Sequence, residues 1–216
     1  MAEIPWTYTL GLGIWSGAAH LILLLLLVFR RDGERAGRLA RIYLGLSLAW
    51  IAVVALADLE HLFLPVVTDT AERLIPVLAT ALMVVQGLLA CAFLEIPGLL
   101  PLSAAGGTWS GALFLVGIYT LIRPVPGLPF FKIAAGGWVA LGLTVVTLSV
   151  VGLVRSRLAL HRNRALYWVL TAIPLVGGQA FTLLPIGPWR GVGPLLHLLG
   201  GAALVRGTVS LWLPNV

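Results

Sequence analysis

Three ionisable residues crowd into one short run, Ala57-Asp58-Leu59-Glu60-His61, inside an otherwise apolar stretch. Asp58 and His61 are spaced i, i+3 and so share one face of a helix, whereas Glu60 points elsewhere. Two more histidines, His20 and His197, and one glutamine, Gln179, lie in other apolar stretches. Ionisable side chains are costly in hydrocarbon, so each is a functional suspect by default. If their faces converge, His20, Asp58, His61, Gln179 and His197 form a polar pocket that opens to the outer side of the membrane. Three kinds of chemistry suit such a set. The first is a binding pocket for a small polar or amphipathic molecule. The second is a metal or haem site, since neutral imidazole is the commonest protein metal ligand. A single haem would be held by His20 and His197, or by His61 and His197. The third is structural: interhelical hydrogen bonds worth on average about 0.6 kcal/mol each, with Glu60 at the headgroups.

Other chemistries find little support. No serine sits in a GxSxG setting with paired His and Asp, and no credible phosphate-binding glycine loop occurs. There is no HxxxH pair, and His161 falls in a basic loop. The single cysteine, Cys91, lies in an apolar run and reads as a small buried hydrophobe. The one lysine, Lys132, is far from the last apolar segment, where a retinal Schiff base would need it. Gln86 reads as a packing hydrogen bond, and Arg206 as an anchor that snorkels to the surface. Pro174 with Gly177-Gly178 reads as a close helix approach, as do Gly11, Gly13 and Gly17. No catalytic motif is recognisable.

The elements that would carry these residues follow from hydropathy. The chain is 60% hydrophobic and 10% charged, with a mean hydropathy of +1.03 over 216 residues. An ordinary soluble domain carries roughly 25% charged residues, so most of this surface must face lipid. A span needs about 20 apolar residues, which leaves room for seven and no separate catalytic domain. The apolar runs predict spans over about 7–29, 42–64, 74–94, 108–122, 131–154, 165–184 and 192–212. The fourth is short. Arg30-Arg31, Pro65, the Glu95-Ile96-Pro97-Gly98 turn, the proline-rich stretch from Pro124 to Pro129, and Pro185 to Pro188 separate them. Short connections predict that successive helices pack as antiparallel neighbours in a single domain over residues 1–216. The first span lacks a basic leader and is expected to be retained rather than cleaved.

The net charge of +6 fits lipid headgroups, because the arginines flank apolar segments and no aromatic-basic module points to nucleic acid. Arg30, Arg31, Arg35, Arg38 and Arg41 share one side with Arg155, Arg157, Arg162, Arg164 and Arg206. Only Arg73, Arg123, Lys132 and Arg190 fall on the other. The positive-inside bias then places the N-terminus outside and the C-terminus in the cytoplasm. Trp6, Tyr8, Trp109, Trp138, Tyr167, Trp168, Trp189 and Trp212 lie near expected span ends, as interfacial belts do.

Three stretches give a resemblance. They are Arg38-Leu39-Ala40-Arg41-Ile42-Tyr43 leading to Trp50, Arg155 to Arg164 followed by Leu170-Thr171-Ala172-Ile173-Pro174, and the last helix from Gly193 to Leu211 with its basic residue and apolar tail. In hydropathy and charge this pattern resembles the N-terminal seven-helix membrane sensor region of bacterial histidine kinases and related signalling proteins. The resemblance implies a non-enzymatic sensor in the inner (plasma) membrane, coupling through its Arg-rich cytoplasmic loops. In that family a cytoplasmic effector follows the last span. These 216 residues hold no phosphoacceptor region and no ATP-binding domain, so a separate protein partner or a homo-oligomer is expected. The competing expectation is an accessory membrane subunit of a redox or energy-transducing complex holding haem, quinone or pigment. A small-solute transporter ranks third.

Overall fold

A computed structural model describes residues 6–29, 35–63, 70–94, 100–123, 128–155, 159–183 and 187–210. Arg30, Arg31, Pro65, the turn at 95–98, residues 124–127, Pro185 and Trp212 lie outside them. The described chain is all-helical, with seven α-helices and one short 3-10 helix. They are α1 (Trp6–Phe29), α2 (Arg35–Phe63), α3 (Thr70–Leu94), α4 (Leu100–Ile122), α5 (Phe130–Arg155), α6 (Ala159–Leu183), the 3-10 helix Gly187–Gly191, and α7 (Val192–Ser210). All but α4 are long and apolar enough to cross a membrane, which is the build of a multi-pass membrane protein.

The helices outrun the apolar stretches that announce them. α2 starts at Arg35 and α6 at Ala159, because arginine is a good helix former and its charge ends a hydrophobic run without ending the helix. α4 departs most from expectation. It is a full 23-residue helix without a charged side chain, about 34 Å long at 1.5 Å per residue. It starts at Leu100, well before the expected 108, and Pro101 occupies its first turn, where the missing N–H has no partner to lose. Within α4 the described apolar stretch is Gly107–Val116, shorter than a span.

Packing also differs from a simple up-and-down series. α3 packs against α2, α4, α5 and α6, and α7 against α1, α2 and α6. α4 leans on α3 and barely meets α5, so one pair of successive helices are not close neighbours. Large apolar side chains such as Ile14, Trp15, Leu115, Leu143, Ile173 and Leu199 point outward, which suits lipid rather than water. In α1 the usual soluble pattern is inverted. Its buried residues are Thr9, Gly13, Ser16, His20 and Leu27, so mostly small and polar groups face the bundle, while Leu21, Leu25 and Leu26 face out.

Small residues set the closest approach. A Cβ on Gly178 would lie 2.6 Å from the carbonyl oxygen of Gly193 and from the backbone nitrogen of His197. Those atoms cannot move aside, so glycine is what lets α6 meet α7 backbone to backbone. Gly13 and Gly17 face Ala55 and Ile51 of α2, whereas Gly11 faces open space and makes no such contact.

Candidate functional site

The five expected pocket residues resolve into two clusters at different depths. His20, Gln179 and His197 meet in the core; Asp58 and His61 sit at the end of the bundle where α2 finishes. Ser47, which bonds His197, lies three turns of α2 from Asp58, about 16 Å along the axis. The two clusters are therefore not one pocket.

The core cluster joins α1, α2, α5, α6 and α7. The rings of His20 and His197 stack with centroids 5.5 Å apart and planes 23° from parallel. His20 Nδ1 lies 2.9 Å from the carbonyl of Ser16, and the Ser16 hydroxyl donates to the carbonyl of Pro194 at 2.7 Å. His197 places Nδ1 3.2 Å from the carbonyl of Leu175 and Nε2 2.9 Å from Ser47 Oγ. Tyr43 and Trp50 flank the His197 ring at centroid distances of 5.6 and 5.0 Å. Gln179 extends the cluster: its Nε2 donates to the Tyr43 hydroxyl at 3.3 Å, and its Oε1 accepts from Trp138 Nε1 at 2.6 Å.

Trp138 corrects one expectation, and Trp168 another. Both were expected in an interfacial belt, yet both are buried. Trp168 donates through Nε1 to Ser149 at 3.0 Å and stacks on Phe93. A buried indole is held in place by a partner for its N–H, and each of these two has one. Trp109 and Trp189 are exposed, as expected.

The second cluster is ionic. Arg190, in the 3-10 helix, puts Nε 3.2 Å from Asp58 Oδ1 and Nη2 2.7 Å from Glu72 Oε1. Its guanidinium also lies 5.4 Å from the centroid of the Trp6 ring, within cation–π range. His61 stacks edge-on against Trp6 with centroids 4.2 Å apart, and its Nε2 is 3.9 Å from Glu72 Oε1. Asp58 is buried and His61 is about one-third exposed. Residues three apart differ by about 60° around a helix, enough at the bundle margin to move a side chain from inside to edge. Glu60 is half-buried.

Sequence reasoning missed Arg190 and Glu72 as site residues, although buried Asp58 needed a cationic partner and Arg190 sits in a short loop on the same side. It also passed over Ser16, Tyr43, Ser47 and Trp50, since hydroxyls and aromatics in a hydrophobic helix look like packing. Gln86, expected to make a packing hydrogen bond, is fully buried with neither amide atom bonded among the described residues.

The geometry bears on what the site could hold. A haem iron needs a nitrogen of each imidazole aimed at it from opposite faces of the macrocycle. His20 and His197 instead lie face to face, and three of their four nitrogens are committed to Ser16, Leu175 and Ser47. His61 stands against Trp6, at the ionic cluster and far from His197. The residues do not fit a haem in either pairing. Among the described residues no three His, Cys, Asp or Glu side chains converge to hold a metal ion.

Comparison with protein-family models, curated proteins and solved structures finds no match to this chain.

Proposed function

We propose that this protein is a non-enzymatic sensor of the plasma membrane. In this reading seven helices cross the bilayer, with the N-terminus outside and the C-terminus in the cytoplasm. The outer ionic cluster responds to a signal, and the Arg-rich inner ends of α2 and α6 pass the response to a partner. The likeness in hydropathy and charge to the sensor regions of histidine kinases favours the same assignment.

The single observation that carries the reading is the course of the segment from Arg190 through α7. Arg190 ties it to Asp58 and Glu72, His197 ties it to the core, and Arg206 is exposed near its other end. One continuous segment, the 3-10 helix and α7, thus touches both polar clusters and runs about 24 Å from Arg190 to Arg206 at 1.5 Å per residue. A displacement of Arg190 moves His197 with it. Coupling of this kind needs an element that both ends can bias.

Hydrogen–deuterium exchange of the full chain in lipid nanodiscs tests it. Arg190→Gln should change protection at the inner ends of α2 and α6, residues 36–44 and 159–166, by at least about tenfold more than in α4, which does not pack on α7. A change confined to the neighbourhood of residue 190 would refute the coupling.

A further inference from the structure

The hydrogen bonds around His197 can be assigned by counting hydrogens. The Leu175 carbonyl only accepts, so His197 Nδ1 carries a hydrogen. Nε2 faces Ser47 Oγ at 2.9 Å. That hydroxyl has one hydrogen and two acceptors in reach, Nε2 and the Tyr43 carbonyl at 2.8 Å. With a neutral imidazole, Ser47 donates to Nε2. With an imidazolium, Ser47 turns its hydrogen to the Tyr43 carbonyl and accepts from Nε2–H. Both states leave every nitrogen of the ring bonded.

His20 supplies the second half. Its Nδ1 faces the Ser16 carbonyl and must also carry a hydrogen. Its Nε2 is then a bare lone pair, fully buried, with no hydrogen-bond partner among the described residues. The faces of Tyr43 and Trp50 lie within cation–π range of His197. His20, Ser47, Trp50 and His197 are each fully buried and packed together, so the ligand that fits is one that needs no volume.

We infer that His20 and His197 form a binding site for a single proton in the core of the bundle, with Ser47 as the hydroxyl that changes from donor to acceptor when the proton arrives. The step adds H⁺ to a neutral pair and gives one imidazolium; no bond between heavy atoms changes. Two charged rings stacked at 5.5 Å would repel strongly in a packed core, which limits the pair to one proton. The ionisable groups facing His197 are His20 from α1 and Tyr43 from α2. From α6 come Leu175 and, through Tyr43, the neutral Gln179. Tyr167 bonds the Ala203 carbonyl, nearly two turns further along α7, and Arg206 lies beyond it. Asp58, Glu72 and Arg190 form the separate ionic cluster.

The buried face of α1 runs between the two clusters: Thr9 packs beneath Gly191, next to Arg190, and Gly13, Ser16 and His20 follow on the same face. Past His20 that side turns apolar, with Leu27 in the core and Leu23 and Leu24 packed against it. This deepens the sensor reading by naming the ligand, and it is tested on the imidazoles themselves rather than on the inner helix ends.

The test is solid-state ¹⁵N NMR of histidine-labelled full chain in lipid bilayers, from about pH 8 to about pH 4. A His61→Gln/His161→Gln background leaves only the two core histidines. One imidazolium per chain should form while the other ring stays neutral. Two neutral rings throughout, or two charged rings, would overturn the site. Ser47→Ala keeps both histidines and should weaken proton binding about tenfold, moving the midpoint down by about one pH unit. The charged state loses a bond roughly twice as strong as the neutral state does. An unmoved midpoint would overturn the switch.

Discussion

Arg190 Nη2 stands 2.7 Å from Glu72 Oε1, a contact that fastens the 3-10 turn before α7 to the first turn of α3. The same guanidinium holds Asp58 of α2 at 3.2 Å and lies over Trp6 of α1. Three helices thus converge on one side chain, only 10% exposed. In water an ion pair is worth little, but a buried pair broken from one side leaves an uncompensated charge.

Arg190→Gln is therefore expected to destabilise the bundle by about 3–5 kcal/mol. Asp58→Asn in the same chain should restore part of that loss, because it removes the orphaned charge. Thermal unfolding of the two single variants and the double variant in detergent gives the coupling. Strictly additive losses would show that the two groups do not depend on one another.

Gly178→Ala should be strongly destabilising, whereas Gly177→Ala should be neutral or slightly stabilising. The first Cβ meets backbone atoms of Gly193 and His197 at 2.6 Å; the second meets nothing within 4 Å. An alanine in open space gains about 0.5–1 kcal/mol of helix stability over glycine. Melting temperatures of the two variants check the contrast, and equal effects would count against the close contact of α6 with α7.

Trp138→Phe separates a buried indole from an interfacial one. Removing the N–H leaves Gln179 Oε1 without its donor at 2.6 Å. A cost of about 0.6 to 1.7 kcal/mol is expected, much reduced in a Gln179→Leu background. The cycle is read by unfolding in detergent; a loss that is the same in both backgrounds would mean that the bond carries no weight.

How much of this the sequence discloses depends on which physical signal is in play. Hydropathy marks the apolar core of each helix well, because lipid demands an apolar surface along the whole span. It misses the polar first turns of α2 and α6, and it starts the fourth helix near 108 when α4 begins at Leu100. The candidate residues announce themselves because charge is rare in apolar helices. Their grouping does not. Whether His20 on α1 faces His197 or Asp58 is set by how helices far apart in the chain rotate against one another, and nothing local records that. Ser47 is harder still: its importance lies in having one hydrogen between two acceptors, a relation that only the folded positions of Tyr43 and His197 create.

Sidedness is open to direct test. In a Cys91→Ala background, Lys132→Cys should react with a membrane-impermeant maleimide added to intact cells, and Arg162→Cys only after the membrane is opened. Both positions are exposed. The reverse pattern would invert the topology and put the Asp58–Arg190 cluster on the cytoplasmic side.

The central claim is that the Asp58–Glu72–Arg190 cluster and the Arg-rich ends of α2 and α6 are mechanically linked. The most direct measurement is a spin-label distance between Arg38→Cys on α2 and Arg162→Cys on α6, in a Cys91→Ala chain in nanodiscs. Adding Arg190→Gln should shift the distance distribution or populate a second peak, since α7 would no longer be held at its Arg190 end. A distribution that is unchanged while the bundle stays folded would contradict the account.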